Sequence, residues 1–223
     1  MDEKIFAPML SRRRVLGLMA AGLSATALAG CQKGPFHSVD IAGSAPSLAF
    51  TLTRASDDRL VTQADYRGQI VLLYFGYTFC PDVCPTTLTN VDDIIRKLGP
   101  QAKNVSVLFV TVDPNRDTVP VLADYVKNFG PRIVGLRGTP DQLAAITRRF
   151  RVVYSVSPAS KGHPYEVTHS AGTYVFDGSG AARLLIPSLD SPKSDISGTA
   201  ADLKRLIDEA HPTGLFSRLK GMV

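Results

Sequence analysis

Two runs constrain this chain more than any other feature: IVLLYFG at Ile70–Gly76 and VSVLFVTV at Val105–Val112. Neither carries a charge, and neither alternates cleanly between apolar and polar residues. A half-buried strand alternates, whereas a strand covered on both faces reads as a continuous apolar run. Both runs are also too short for a buried helix. After the first, Leu88, Val91, Ile94, Ile95 and Leu98 recur at helical spacing. After the second, Leu122, Tyr125, Val126 and Phe129 do the same within Thr118–Phe129. Buried strands alternating with helices predict a sheet with a parallel centre and helices on both sides.

The rest of the chain fits around that centre. Leu48–Thr53 alternates as a strand, Ile133–Leu136 is a short strand, and Arg151–Val156 reads as another. Thr139-Pro140-Asp141-Gln142 opens a helix: threonine caps it, proline fits its first turn, and glutamine completes a capping box. Leu143, Ile146 and Phe150 continue its apolar side. Tyr174–Phe176 and Arg183–Ile186 flank Asp177-Gly178-Ser179-Gly180, a turn signal that predicts an antiparallel addition. A last helix is expected over about Thr199–Ala210. At 44% hydrophobic and 20% charged, the composition supports a sizeable core.

Between the first buried run and its helix lies Cys80-Pro-Asp-Val-Cys84. A cysteine pair between a strand and a helix is where a thioredoxin-like fold keeps its chemistry, although here three residues separate the cysteines instead of two. Pro85 suits the first helical position, which places Cys84 at the helix N-terminus and Cys80 in the turn before it. Four residues of helix would separate the α-carbons by about 6 Å, within disulfide range. The same spacing lets both sulfurs meet one ion. The helix terminus favours thiolates, and Asp82 opposes them. A metal needs further ligands, and the histidines available are His37, His163, His169 and His211. His169 stands at the mouth of a predicted strand, where a loop can bring it to the cysteine turn.

The N-terminus bears on compartment. Ser11-Arg12-Arg13-Arg14 precede Val15–Gly30, an uncharged run of roughly 24 Å as a helix at about 1.5 Å per residue. A bilayer core needs about 30 Å, so the run fits a signal peptide better than a permanent span. Leu28-Ala29-Gly30-Cys31 resembles a bacterial lipobox, which implies cleavage before Cys31 and lipid on its thiol. Ser11-Arg12-Arg13 with Val15-Leu16 resembles a twin-arginine signal. The expected organisation is an export signal over 1–30, a polar tether over 31–47, a domain over 48–212 and a tail over 213–223. Losing residues 1–30 lowers the net charge from +5 to +3, and nothing in this balance calls for nucleic acid. Outside the inner membrane thiols meet an oxidising environment. Cys80 and Cys84 would then form a disulfide, hold a metal, or be kept reduced by a partner.

YFGYTFCPDVCPTTL, VTVDPNRDT, GTPDQLAAITRRFRVVYS and YEVTHSAGTYVFD occur in that order. Together they resemble the Sco/SenC family, membrane-anchored copper proteins that assist cytochrome c oxidase assembly, over roughly Ala45–His211. The resemblance implies a thioredoxin-like α/β fold: a central mixed sheet flanked by helices, with an N-terminal strand extension and a β-hairpin insertion. It implies Cys80, Cys84 and His169 as ligands of one copper, and Asp113 as a candidate neighbour of the site. Thr168 stands where many members have aspartate before the histidine, a group able to orient the imidazole. Tyr165 matches a recurrent tyrosine and is expected to pack. Soft thiolates favour Cu(I) and an imidazole admits Cu(II); the same set would also suit zinc.

The function so implied is a copper metallochaperone on the outer face of the bacterial inner membrane. Its partners would be subunit II of the oxidase or another copper oxidase subunit, a periplasmic copper donor and a thiol reductase. A thiol-disulfide oxidoreductase acting through Cys80 and Cys84, and a redox or copper sensor, are the alternatives. Asp113, Asn115, Asp117 and Asp124 resemble part of a calcium loop, but Thr118 stands where glycine is required. Arg148, Arg149 and Arg151 read as a solvated basic cluster. No phosphate-binding glycine loop and no Ser-His-Asp arrangement stands out.

Overall fold

The structure, a computed structural model, describes residues 34–159 and 165–211. Its elements all belong to the unit that begins at Phe36. The two apolar runs are β4 (Ile70–Gly76) and β5 (Val105–Thr111). They pair in parallel from Ile70↔Val105 to Gly76↔Thr111, and every residue of both is buried. The chain reaches these strands through β1 (Val39–Asp40), β2 (Thr51–Arg54), β3 (Arg59–Thr62) and a 3₁₀ turn, Gln63–Tyr66. Helix α1 (Val83–Lys97) links β4 to β5. Helix α2 (Val119–Lys127) leads to β6 (Ile133–Arg137), parallel to β5. Then come α3 (Pro140–Arg149), β7 (Tyr154–Ser157), β8 (Glu166–His169), β9 (Thr173–Phe176), β10 (Ala182–Ile186) and α4 (Ile196–Ala210).

The main sheet has eight strands in the order β1-β10-β9-β4-β5-β6-β2-β3. Its centre is parallel, while β9, β10 and β1 on one side and β2 and β3 on the other are antiparallel additions. This is the mixed sheet flanked by helices that the sequence predicts. α1 buries Leu88, Val91, Ile94 and Ile95, and α4 packs beside it through a face that buries Leu203, Leu206 and Ile207. The predicted capping box holds: the Thr139 hydroxyl accepts from the amide of Gln142 at 3.3 Å, and the Gln142 side chain accepts from the amide of Thr139 at 2.8 Å.

Four details differ from the sequence reading. The first strand begins at Thr51, not Leu48, and it turns back through β3, which no alternation announces. α1 begins at Val83, so Pro85 is its third residue; its missing amide hydrogen still falls among those a helix leaves unpaired. The expected strand at 151–156 is β7, and it leaves the main sheet to pair with β8 alone. Strand β1 lies inside 31–47, the segment read as a tether. There the amides of His37 and Ser38 donate to the buried Asp202 carboxylate at 3.0 and 2.7 Å. The expected signal, Cys31, His163 and the tail over 213–223 lie outside the described residues. Among the described residues, no helix is long and apolar enough to cross a membrane.

Candidate metal centre

β4 ends at Gly76, and the chain turns through Tyr77-Thr78-Phe79 to Cys80 before α1 begins. Two features fix this turn. The Asp117 carboxylate, fully buried in the loop between β5 and α2, accepts from the Thr78 amide at 3.0 Å and from the Thr78 hydroxyl at 2.6 Å. The absence of a side chain at Gly76 leaves room: a Cβ there would stand 2.6 Å from the Phe109 ring and 2.8 Å from Cys84 Sγ. Cys84 is thereby sunk into the core, while Cys80 stays half-buried.

β8 delivers His169 from the far side. Its Nε2 lies 3.3 Å from Cys84 Sγ, and the ligand atoms of Cys80, Cys84 and His169 all lie within 4.8 Å of one another. The structure therefore brings together the three residues the sequence singled out. The other described histidines are elsewhere: His37 faces Asp195 across 3.2 Å, and His211 caps α4. His169 Nδ1 lies 3.1 Å from the Ser170 carbonyl oxygen. A carbonyl only accepts, so in the neutral ring Nδ1 carries the hydrogen and Nε2 turns its lone pair to the sulfurs. The orienting acceptor is thus a backbone carbonyl. The Thr168 hydroxyl is engaged instead with Ser155, 2.8 Å away across the ribbon.

The two thiols differ in acidity. The neighbouring Cys80 sulfur, ahead of burial, pushes the Cys84 thiol pKa up. Cys80 is pushed down, first by the Cys84 side chain, with burial opposing, and by the amides of Cys84 and Asp82. The Cys84 amide, in the first turn of α1, lies 3.4 Å from Cys80 Sγ, as expected of a helix N-terminus that stabilises an anion. Tyr74 closes the floor. Its phenol donates to Cys84 Sγ at 3.7 Å, and burial pushes its pKa up, so it stays protonated. Tyr74 and Tyr77 meet the His169 ring edge-on, with centroids 6.0 and 5.8 Å away.

Asp113 is 3% exposed and touches none of the three ligand atoms. It pairs with Arg116 and accepts from the Tyr165 hydroxyl at 2.7 Å. Nor does it cap α2, a role taken by Thr118. Tyr165 does more than pack, since its hydroxyl binds Asp113. Asp117, read in sequence only as part of a calcium-like loop, is the anchor of the cysteine turn; one local signal was its place in the loop after a buried strand. Asp124 pairs with Lys127 at the surface. Arg148, Arg149 and Arg151 are exposed, and the first two donate to the carbonyls of Ala144 and Ser47.

The family model described as SCO1/SenC matches residues 41–208. The chain belongs to the SCO1/SenC family. The mitochondrial SCO2 homologue of Bos taurus is 45% identical over 124 residues, 55% of this chain and 47% of that protein. The chain thus spans about half the length of the curated relatives it matches. Among solved structures, Bradyrhizobium japonicum ScoI with copper bound is 35% identical, with a TM-score of 0.65 over 73% of this chain and 99% of that one. Apo Sco1 from Thermus thermophilus is 34% identical, with a TM-score of 0.68 over 79% of this chain and 99% of that one. The thioredoxin-like expectation accords with these neighbours, and the Cys80–Cys84–His169 group can hold a metal.

Proposed function

We propose that this chain is a copper carrier for cytochrome c oxidase assembly, holding one copper through Cys80 and Cys84 as thiolates and His169 through Nε2. The observation that carries this reading is the convergence of two sulfurs and one imidazole nitrogen within 4.8 Å. Two soft sulfurs suit Cu(I), and the nitrogen extends the site to Cu(II). Copper-bound relatives of the same fold support the choice of copper over zinc. Three ligands, one of them on a half-exposed turn, leave a side from which a receiving protein's ligand enters before the first ones leave. The receiver would be subunit II of the oxidase or another copper oxidase subunit, with a periplasmic copper donor and a thiol reductase upstream.

The protein would be exported through residues 1–30 and held by lipid on Cys31 at the inner membrane, facing the periplasm. Globomycin, which blocks lipoprotein signal cleavage, is then expected to leave an uncleaved precursor, as is Cys31→Ala.

Metal analysis of the soluble domain tests the carrier reading. The reduced protein should bind one copper and show a sulfur-to-Cu(II) charge-transfer band. Protein oxidised at Cys80–Cys84 should bind none. Equal copper in both forms defeats the assignment.

A thiol-disulfide oxidoreductase is favoured by a separate observation, the unequal thiols. Cys80 is the more exposed and the more readily ionised, as an attacking sulfur should be. That activity would survive His169→Ala, whereas Cu(II) binding would not.

A further inference from the structure

The ribbon that carries His169 has no backbone ladder to the main sheet: β7 and β8 pair only with each other. The His169 end of β8 runs on through three residues into β9 of the main sheet, while the far end of β8 is held against the rest of the site by side-chain contacts. Besides the contacts of His169 itself, Arg116 touches both halves. Arg116 pairs through Nε with the buried Asp113 carboxylate and donates from a terminal nitrogen to the Tyr165 carbonyl oxygen at 3.1 Å, one residue before β8 begins. Its guanidinium carbon lies 3.8 Å from the Tyr165 ring centre, 4.9 Å from that of Phe79 and 5.7 Å from that of Tyr77. Phe79 and Tyr77 belong to the cysteine turn, and the Tyr77 ring stands at 89° to His169. Asp113 in turn accepts from the Tyr165 hydroxyl, which closes the loop of contacts.

We propose that Arg116 is a positioning residue: its planar fork clamps the start of β8 to the DPNRD loop and to the aromatic side of the cysteine turn, holding His169 within reach of both sulfurs. The fork is what matters. One flat cation donates in two directions while stacking on rings, and a lysine ammonium cannot reproduce that geometry. The clamp deepens the copper reading where it concerns metal affinity, but its geometric part holds without metal.

Arg116→Lys decides the matter, because it leaves a cation beside Asp113. In the metal-free reduced protein the nuclear Overhauser effect between the Tyr77 and His169 ring protons should weaken in Arg116→Lys and vanish in Arg116→Met. Cu(II) affinity should fall by about tenfold to a hundredfold, the usual cost of losing a group that orients a ligand, with Cu(I) affinity nearly unchanged. Ile207→Ala, a truncation in the distant core of α4, should lower thermal stability and leave the ring contact intact. A folded Arg116→Lys protein with the wild-type ring contact overturns the proposal, as does loss of that contact in Ile207→Ala. Should wild-type protein bind no copper while the contact still weakens in Arg116→Lys, the clamp stands and the copper reading falls.

Discussion

The two halves of the metal centre are held by different physics. The cysteine half grows out of β4, whose seven residues are all buried and paired with β5, three of them also with β9, and it is fixed by a glycine and a buried aspartate. The histidine half rides on a two-stranded ribbon whose β7 strand is largely exposed and which joins no strand of the main sheet, meeting the cysteine half through side-chain contacts. Backbone ladders inside a core resist displacement together, whereas a few side-chain contacts yield one at a time. Under the proposed carrier role the contrast would matter: the sulfurs would stay as a rigid platform while the third ligand is easier to withdraw.

The largest expected effect separates the halves directly. Cys84→Ser should abolish tight binding of either copper ion, while His169→Ala should lose Cu(II) and its charge-transfer band but keep Cu(I), as competition with a Cu(I) chelator would show. Equal losses of Cu(I) in the two variants would erase the distinction between platform and movable ligand. Next comes the packing under the sulfur. Gly76→Ala puts a methyl against Phe109 and Cys84 Sγ, and overpacking of this kind costs about 1–3 kcal/mol. Denaturant unfolding should register that cost together with a displaced Cys84.

Asp117 gives a smaller, pH-dependent effect. Burial, the leading cause, raises its pKa above the ordinary 3.8, against the hydrogen bonds from Thr111 and Thr78. The folded protein therefore holds this proton more tightly than the unfolded chain. The resulting stability is fully present below 3.8 and is lost as pH rises through the raised value. Asp117→Asn should flatten that part of the melting temperature against pH. A wild-type slope retained in the variant would place the titration elsewhere. The smallest effect belongs to Thr168→Val. It removes a hydroxyl pair on the ribbon worth about 0.2–1 kcal/mol and should leave the His169 ring resonances in place.

Legibility in the sequence followed the same division. Cys80 and Cys84 announced themselves because their setting is local: an uninterrupted apolar run before them and helical spacing after. The first turn of α3 was readable for the same reason, its capping box spanning four consecutive residues. β3, β8 and the docking of β1 were not readable, because none carries a strong periodic signal and each is selected by a partner elsewhere. The amide of His37, in a segment rich in glycine, proline and serine, finds Asp202 across 165 residues. In sequence Asp117 reads as part of a calcium-like loop, and its burial after β5 shows it as the anchor of Thr78.

From the residues alone came the parallel centre of the sheet, the place of the cysteine pair at a strand-to-helix junction, and, through the resemblance of four ordered motifs, the choice of His169. Those features depend on hydrophobic period, turn chemistry and motif order, which neighbouring residues determine. The tertiary structure decided that His169 Nε2 stands 3.3 Å from a sulfur 85 residues earlier, that a backbone carbonyl fixes its tautomer, and that Arg116 joins the ribbon to the cysteine turn. The physical reason is that hydrogen bonds and ring contacts between distant segments form only after the core has set the distance between them, and no local pattern encodes that distance.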